Sequence, residues 1–262
     1  KWDKKVINKN LNTLISLSNK NYQNQVPDII VWPESALTFF VNNDINLLSY
    51  LKKNLKKETL LVSGGLRKEV LNNEAKIFNS VFFIKNGKIL DYYDKKKLVP
   101  FGEYMPFRKY LTFKKLTDGN QDFSVGTKST YSEVFIKGQK IGLQTSICYE
   151  GVFSLRAPKK PDMIINITND AWFGNTTGPF QHLIANRLRV SEIGLPAVRV
   201  ANSGISVFFD SDGNIIKRLN LNVKGYIQHE INLINNETIF SKFGQILTLI
   251  MVFIVAILSI IF

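Results

Sequence analysis

The chain has 262 residues, 45% of them hydrophobic, and its 34 Lys and Arg residues outnumber 21 Asp and Glu residues to give a formal charge of +13. This length suffices for a large core, as one domain with appendages, and a single cysteine excludes a disulfide scaffold and a zinc-finger site. The excess of basic residues is compatible with binding to nucleic acid, with binding to an anionic membrane, or with a lysine-rich surface that has no such partner. Nucleic acid is the least favoured of these, because the lysines are scattered and no nucleic-acid motif accompanies them.

In chain order, the predicted elements alternate between helices and strands. An amphipathic helix comes first, with Val6, Leu11 and Ile15 on its apolar face. Further helices are predicted near 44–57 and 180–193, and Asn86-Gly87 predicts a tight hairpin between two of the strands. The strands are predicted over 28–32, 59–63, 80–84, 89–93, 131–136, 140–148, 163–167, 197–200, 205–209 and 226–231. Interleaved helices and strands with hairpins predict α/β layers with mixed sheets.

Two segments stand apart from this alternation. Residues 98–130 form a long stretch rich in Gly, Pro and aromatic residues, and its aromatics, including Phe107 and Phe113, alternate with cations. This composition indicates a functional loop that meets acyl chains and head groups at a membrane surface, and the alternative is a loop that packs on its own domain. Residues 246–262 are almost entirely apolar with no polar stripe. A helix of that length is about 26 Å long, enough for a bilayer core, so it is predicted to be transmembrane.

The single cysteine, Cys148, lies where a predicted strand ends, in the stretch SICYEGVF. A lone cysteine is often a small buried hydrophobe, and a reactive one needs a base or a cation nearby. The chain has two histidines, His182 and His229, and both are interpreted as structural, His182 as a hydrogen bonder near the site. Glu34 and Lys95 offer an alternative, because each follows a predicted strand and strand ends are where α/β sites gather.

Six motifs carry a family resemblance, namely VWPESAL, YDKKKLVPFGEYMP, SICYE, NITNDAWFG, GPFQH and VRVANSGIS. They resemble the nitrilase superfamily and, within it, the apolipoprotein N-acyltransferases, over nearly the whole chain. The resemblance implies a nitrilase-like α-β-β-α sandwich over residues 1–240, with its first strand apparently missing, and a transmembrane helix over 245–262. It also implies that the chain is the C-terminal portion of a longer protein.

The resemblance also implies roles for individual residues. Glu34 would be the general base, Cys148 the nucleophile, and Lys95 the cation that stabilises the oxyanion and favours a partly ionised thiol. Lys95 is preferred to its neighbours because the family's lysine stands three residues before the Leu of LVPFGE. Support near the site would come from Glu103, Tyr149 and Glu150. Weaker matches, as substrate contacts, are Trp2, Phe107, Phe113, Trp172 and Phe173.

The implied reaction is transfer of a fatty acyl chain from a phospholipid, through a cysteine thioester, to the N-terminal amine of a diacylglyceryl-modified lipoprotein. No cofactor, metal or nucleic acid is implied, and the domain would lie on the periplasmic side of a bacterial inner membrane. Two alternatives remain open. One is a nitrilase-type amidase that hydrolyses small C–N bonds, which fits the same three residues but not the apolar C-terminal segment. The other is an inactive membrane-anchored binding module.

Overall fold

A computed structural model describes residues 4–20, 26–71, 73–107, 121–154, 159–234 and 236–261. The helices are α1 (Lys4–Ser18), α2 (Ile45–Asn54), α3 (Gly178–Ile193), α4 (Ile239–Phe243) and α5 (Ile246–Ile261). The strands are β1 (Ile29–Val31), β2 (Leu37–Phe40), β3 (Leu60–Leu71), β4 (Glu74–Lys85), β5 (Lys88–Asp94), β6 (Tyr131–Ile136), β7 (Gln139–Ile147), β8 (Met163–Asn169), β9 (Ala197–Asn202), β10 (Ser206–Phe209) and β11 (Ile215–Leu219).

The strands form two mixed sheets. The first has the order β1-β3-β4-β5, with β2 also paired to β3; β1 and β2 run parallel to β3, and the remaining pairs are antiparallel. The second has the order β11-β10-β9-β8-β7-β6, in which β7, β8 and β9 are mutually parallel and the outer pairs antiparallel. The prediction of mixed sheets is therefore confirmed.

Three apolar clusters stack the elements into layers. The largest lies between the sheets and joins Val62 and Phe83 of the first sheet to Leu143 and Ile165 of the second. Side chains of α1 and α2 cover the outer face of the first sheet, and those of α3 cover the outer face of the second. Successive strand residues point to opposite faces, so β8 can serve two clusters at once. The result is the expected α-β-β-α order.

The Asn-Gly hairpin forms as predicted. Lys85 and Lys88 are paired at the ends of β4 and β5, and Asn86 and Gly87 between them both have positive φ, 49° and 70°. Two consecutive left-handed residues define the type I′ turn, whose twist matches that of the flanking strands.

Other details differ from the sequence predictions. The strand predicted over 226–231 is wrong, because this stretch is half-buried but joins neither sheet as described. Its sequence, YIQHEI, contains residues that favour strands, but such residues also fit a half-buried segment that pairs with no strand. His229 therefore lies outside any strand, with its ring 5.7 Å from that of Phe208. Strands β2 and β11 are additional; β2 is a four-residue strand and β11 is mostly exposed, so neither shows a clear alternation.

The apolar C-terminal segment is helical, as α5, over 16 residues. Its described side chains from Leu249 to Leu258 are exposed, including Phe253 at 67%. In the parts of the chain that the structure describes, no helix has both the length and the apolar composition to cross a membrane. The functional loop predicted over 98–130 is described only at its two ends, where it contains no helix or strand.

Candidate active site

Glu34, Lys95 and Cys148 come together at one end of the sandwich. Each follows a strand end: Glu34 lies just beyond β1, and Lys95 and Cys148 immediately follow β5 and β7. All three are buried, with exposed fractions of 6%, 1% and 8%, and all three line the same cavity of about 2560 Å³. The Nζ atom of Lys95 is 3.8 Å from Oε1 of Glu34. The expected convergence of the three groups is therefore what the structure shows, and their catalytic roles remain a proposal.

The Glu34 carboxyl group is held by a tight turn and one amide. Its backbone packs against Gly64, where a Cβ atom would lie 2.7 Å from the Cα of Glu34, so this strand position has no room for a side chain. Asn79 Nδ2 donates to Oε1 at 2.7 Å, while Oε2 is buried and has no hydrogen bond of normal geometry from the described residues. Burial raises the pKa of Glu34, and the Lys95 charge only partly offsets this effect.

Lys95 is fixed by a second carboxylate, Glu103. Its Nζ atom is 2.9 Å from both Glu103 oxygens, and Asn79 Nδ2 also donates to Glu103, at 3.0 Å. The Val99 backbone N–H donates to the other Glu103 oxygen at 2.8 Å. Burial alone would lower the pKa of Lys95, but the charges of Glu34 and Glu103 raise it. The lysine therefore stays cationic in a buried site, which is the state an oxyanion requires.

Cys148 has a strained backbone and an un-ionised thiol. Its φ is 49°, a left-handed value that costs about 1–3 kcal/mol for a residue with a side chain. Burial raises the pKa of the thiol to about 12; the charge of Glu34 adds to this rise, and Lys95 opposes it. The expectation of a partly ionised resting thiol is therefore wrong, because desolvation outweighs the nearby cation. A base must remove the proton during attack, and the Glu34 carboxyl group interacts with this thiol.

Glu150 ties the segments of Cys148 and Lys95 together. Its Oε1 atom accepts from the Tyr93 hydroxyl at 2.7 Å and from the backbone N–H of Lys96 and Lys97 at 2.8 and 3.1 Å. Its Oε2 atom accepts from the Ile147 N–H at 2.9 Å. A single buried carboxylate thus fixes both strand ends, which suits the support role expected of it. Removing it would leave buried N–H groups unpaired.

The remaining predicted residues either line the cavity, are exposed outside it or lie outside the described chain. Tyr149 is 38% exposed, Trp172 57% and Phe173 39%, and all three line the cavity. Phe107, in the described N-terminal end of the predicted loop, is exposed. Trp2 and Phe113 lie outside the described residues, so their expected contacts are not tested.

Several site residues were missed by sequence reasoning. Asn79 bridges Glu34 and Glu103 from the middle of β4, and Tyr93 donates to Glu150 from β5. Asp170 and Arg199 form a buried ion pair beside Cys148, with Nη2 of Arg199 2.8 Å from Oδ2 of Asp170. The motifs NITNDAWFG and VRVANSGIS contained Asp170 and Arg199, but a single charged residue with no partner nearby in sequence was too weak a signal.

Comparison with known proteins identifies the family. The profile of the family described as "Carbon-nitrogen hydrolase" matches residues 2–236. Proteins named apolipoprotein N-acyltransferase from Rickettsia typhi and Rickettsia prowazekii are each 40% identical to the chain, over 94% and 100% of its length, but the matches cover only 49% and 54% of those proteins. The chain thus spans about half the length of these relatives.

Solved structures share the fold. Nit3 of Saccharomyces cerevisiae, a member of branch 10 of the nitrilase superfamily, superposes with a TM-score of 0.58 and 20% sequence identity, covering 84% of this chain and 81% of that one. At this identity the likeness concerns the fold alone. Because the family profile spans nearly the whole chain, the protein belongs to the carbon-nitrogen hydrolase family.

Proposed function

We propose that this chain is the catalytic portion of an apolipoprotein N-acyltransferase. The observation that carries the proposal is the buried cluster in which Lys95 lies between Glu34 and Glu103 and Cys148 interacts with Glu34. The names of the relatives supply the reaction, N-acylation, and the acceptor class, an apolipoprotein. The donor is a phospholipid and the acceptor is the N-terminal amine of an S-diacylglyceryl-cysteine lipoprotein.

The first half-reaction forms a thioester. Glu34 takes the thiol proton as the Cys148 sulfur attacks the ester carbonyl carbon of the phospholipid, and the C=O electron pair moves onto the oxygen. Lys95 stabilises this oxyanion. The intermediate then collapses, the bond to the glycerol oxygen breaks, and Glu34 returns the proton to that oxygen, so a lysophospholipid leaves and the acyl chain stays on sulfur.

The second half-reaction uses the same groups in the same order. The lipoprotein amine attacks the thioester carbonyl, Glu34 accepts one amine proton, and Lys95 again stabilises the oxyanion. The C–S bond breaks, Glu34 returns the proton to the sulfur, and an amide is released. A base that first accepts and then donates works best with a pKa near the working pH. The raised pKa of the buried Glu34 supports this dual role.

Transfer to an amine is the direct test of the function. We expect the chain, with a phospholipid whose acyl chain carries an alkyne tag, to place the tag on a synthetic S-diacylglyceryl-cysteine peptide with a free amino terminus. The matched control is the same peptide with its amine acetylated, which should stay unlabelled. Release of free tagged fatty acid with no labelled peptide would instead indicate a hydrolase, and no turnover of phospholipid would exclude a phospholipid-dependent acyltransferase.

The membrane association is a separate part of the proposal. The exposed apolar side chains of α5 support lipid contact, and we place the catalytic domain at the periplasmic face of a bacterial inner membrane. A chain truncated after Gly244 should keep a cooperative thermal unfolding transition and lose most of its binding to phospholipid vesicles in a flotation assay. Binding equal to that of the full chain would show that α5 does not anchor the protein.

A further inference from the structure

A second buried polar cluster lies next to Cys148 and contacts its backbone carbonyl. It consists of Asn166, Asp170, His182 and Arg199, none of them more than 6% exposed. Arg199 is its centre, because Nη2 donates to Asp170 Oδ2 at 2.8 Å and Nη1 donates to Asn166 Oδ1 at 2.9 Å. The mechanism above uses none of these side chains, and so many buried polar groups need a reason to be together.

His182 connects this cluster to the nucleophile. One ring nitrogen, Nε2, is 3.2 Å from the Cys148 carbonyl oxygen, and the other, Nδ1, is 2.8 Å from Asp170 Oδ1. A carbonyl and a carboxylate only accept hydrogen bonds. The contact with the carbonyl therefore requires a proton on Nε2, and Nδ1 lies between Asp170 Oδ1 and Nη2 of Arg199, which is 3.2 Å away.

Asp170 is itself firmly fixed. It follows β8 directly, and Gly204 packs against it so closely that a Cβ atom there would lie 2.1 Å from Oδ2. Burial alone would raise the pKa of Asp170, but the hydrogen bond from His182 and the charge of Arg199 lower it. A charged, immobile acceptor thus sets the plane and position of the His182 ring.

The cluster also braces the strand that leads into Cys148. Asn166 Nδ2 donates to the Ser146 hydroxyl at 2.9 Å, and a side chain at Gly151 would collide with the amides of Asn166 and Asn186 at 2.7–2.8 Å. The backbone is therefore held on both sides of a residue whose φ is 49°. A left-handed non-glycine residue persists only where its surroundings determine it.

We propose that His182 is a positioning residue for the nucleophile. Its Nε2–H holds the Cys148 carbonyl, Asp170 fixes the ring, and together they keep the left-handed turn that places the sulfur beside Glu34 and Lys95. The effect on acyl transfer rests on the proposed function, whereas the effect on thiol reactivity does not. His182 acts through the Cys148 backbone and not on the substrate.

Alkylation of the single cysteine by iodoacetamide, followed by intact mass, tests this directly on the full chain. His182→Ala should lower the second-order rate constant at fixed pH by roughly tenfold to a hundredfold, the effect of small misplacements at a reacting atom. His182→Gln, which keeps an N–H donor of similar reach, should restore most of the rate. The control is His229→Ala, which removes a ring packed on Phe208 and should leave the rate unchanged.

A folded His182→Ala chain that is alkylated at the wild-type rate or faster would overturn the proposal. If that variant does not fold, His182→Gln is compared with His182→Asn, whose shorter amide does not reach the carbonyl; equal rates in this pair would also overturn it. If the wild-type chain is alkylated normally but never acylated by phospholipid, the proposed acyltransferase function is refuted. The comparison of alkylation rates among the His182 variants still tests the positioning role.

Discussion

Replacing Cys148 with Ala is expected to abolish acyl transfer. The variant has no sulfur to carry the acyl chain, so both half-reactions lose their covalent intermediate. We expect turnover of a tagged phospholipid to fall by roughly a millionfold, the scale of the loss when a catalytic nucleophile is removed. The measurement is the rate of peptide labelling per mole of folded chain. Labelling at more than a small fraction of the wild-type rate would mean that another group carries the acyl chain.

The Cys148→Ser variant separates nucleophilicity from packing. Serine has nearly the same shape, so this chain should fold and keep the hydrogen bond at the residue 148 carbonyl. It should nevertheless be severely impaired, because a hydroxyl is a weaker nucleophile than a thiol and the resulting ester is less activated toward an amine. An oxygen nucleophile that works as well as sulfur would contradict the thioester scheme.

Replacing Glu34 with Gln should lower both half-reactions. Glutamine keeps the volume and can still pack against Gly64, but it cannot accept a proton. General-base catalysis contributes about 10²–10⁴-fold, so single-turnover acylation of Cys148 should slow by that factor, as should transfer from a pre-formed thioester. Glu74→Gln is the control, because Glu74 is an exposed carboxylate on β4. Loss of only one half-reaction would show that another residue handles the second proton.

The same residue sets the pH dependence. Because burial raises the pKa of Glu34, the carboxylate needed as base is protonated as the pH falls through that raised value. The acid limb of kcat/KM should therefore lie above the ordinary glutamate pKa of about 4.3, and activity should be lost on the acidic side of it. The limb should vanish in Glu34→Gln. An acid limb of kcat/KM at the ordinary glutamate pKa would indicate that Glu34 is solvated.

Local patterns accounted for most of the fold. The alternation in β7, the apolar run of β8 and the Asn86-Gly87 turn each extend over only a few residues, so they can be recognised in one sequence. The stretch 226–231 shows the limit of this reasoning, since residues that favour strands indicate a half-buried surface and not whether a ladder partner exists. The four-residue β2 was too short to show a pattern at all.

The active site divides in the same way. Glu34, Lys95 and Cys148 could be named because each stands at a predicted strand end and within a family motif. Asn79 could not be named from the sequence, because its role depends on a hydrogen bond to Glu34, which is 45 residues away. Arg199 and Asp170 are likewise 29 residues apart. The protonation state of the resting thiol also could not be predicted from the sequence. Burial raises the pKa of the thiol and the Lys95 charge lowers it, and only the geometry decides which effect is larger.

The central claim is that the acyl chain passes through a thioester on Cys148, and mass spectrometry of the protein tests it most directly. The wild-type chain is incubated with one phospholipid species without acceptor, then measured intact and after digestion. We predict a single adduct with the mass of one fatty acyl group, on the peptide containing Cys148, released by neutral hydroxylamine and absent from Cys148→Ala. An adduct on another peptide, or turnover with acceptor but no adduct without it, would contradict the account.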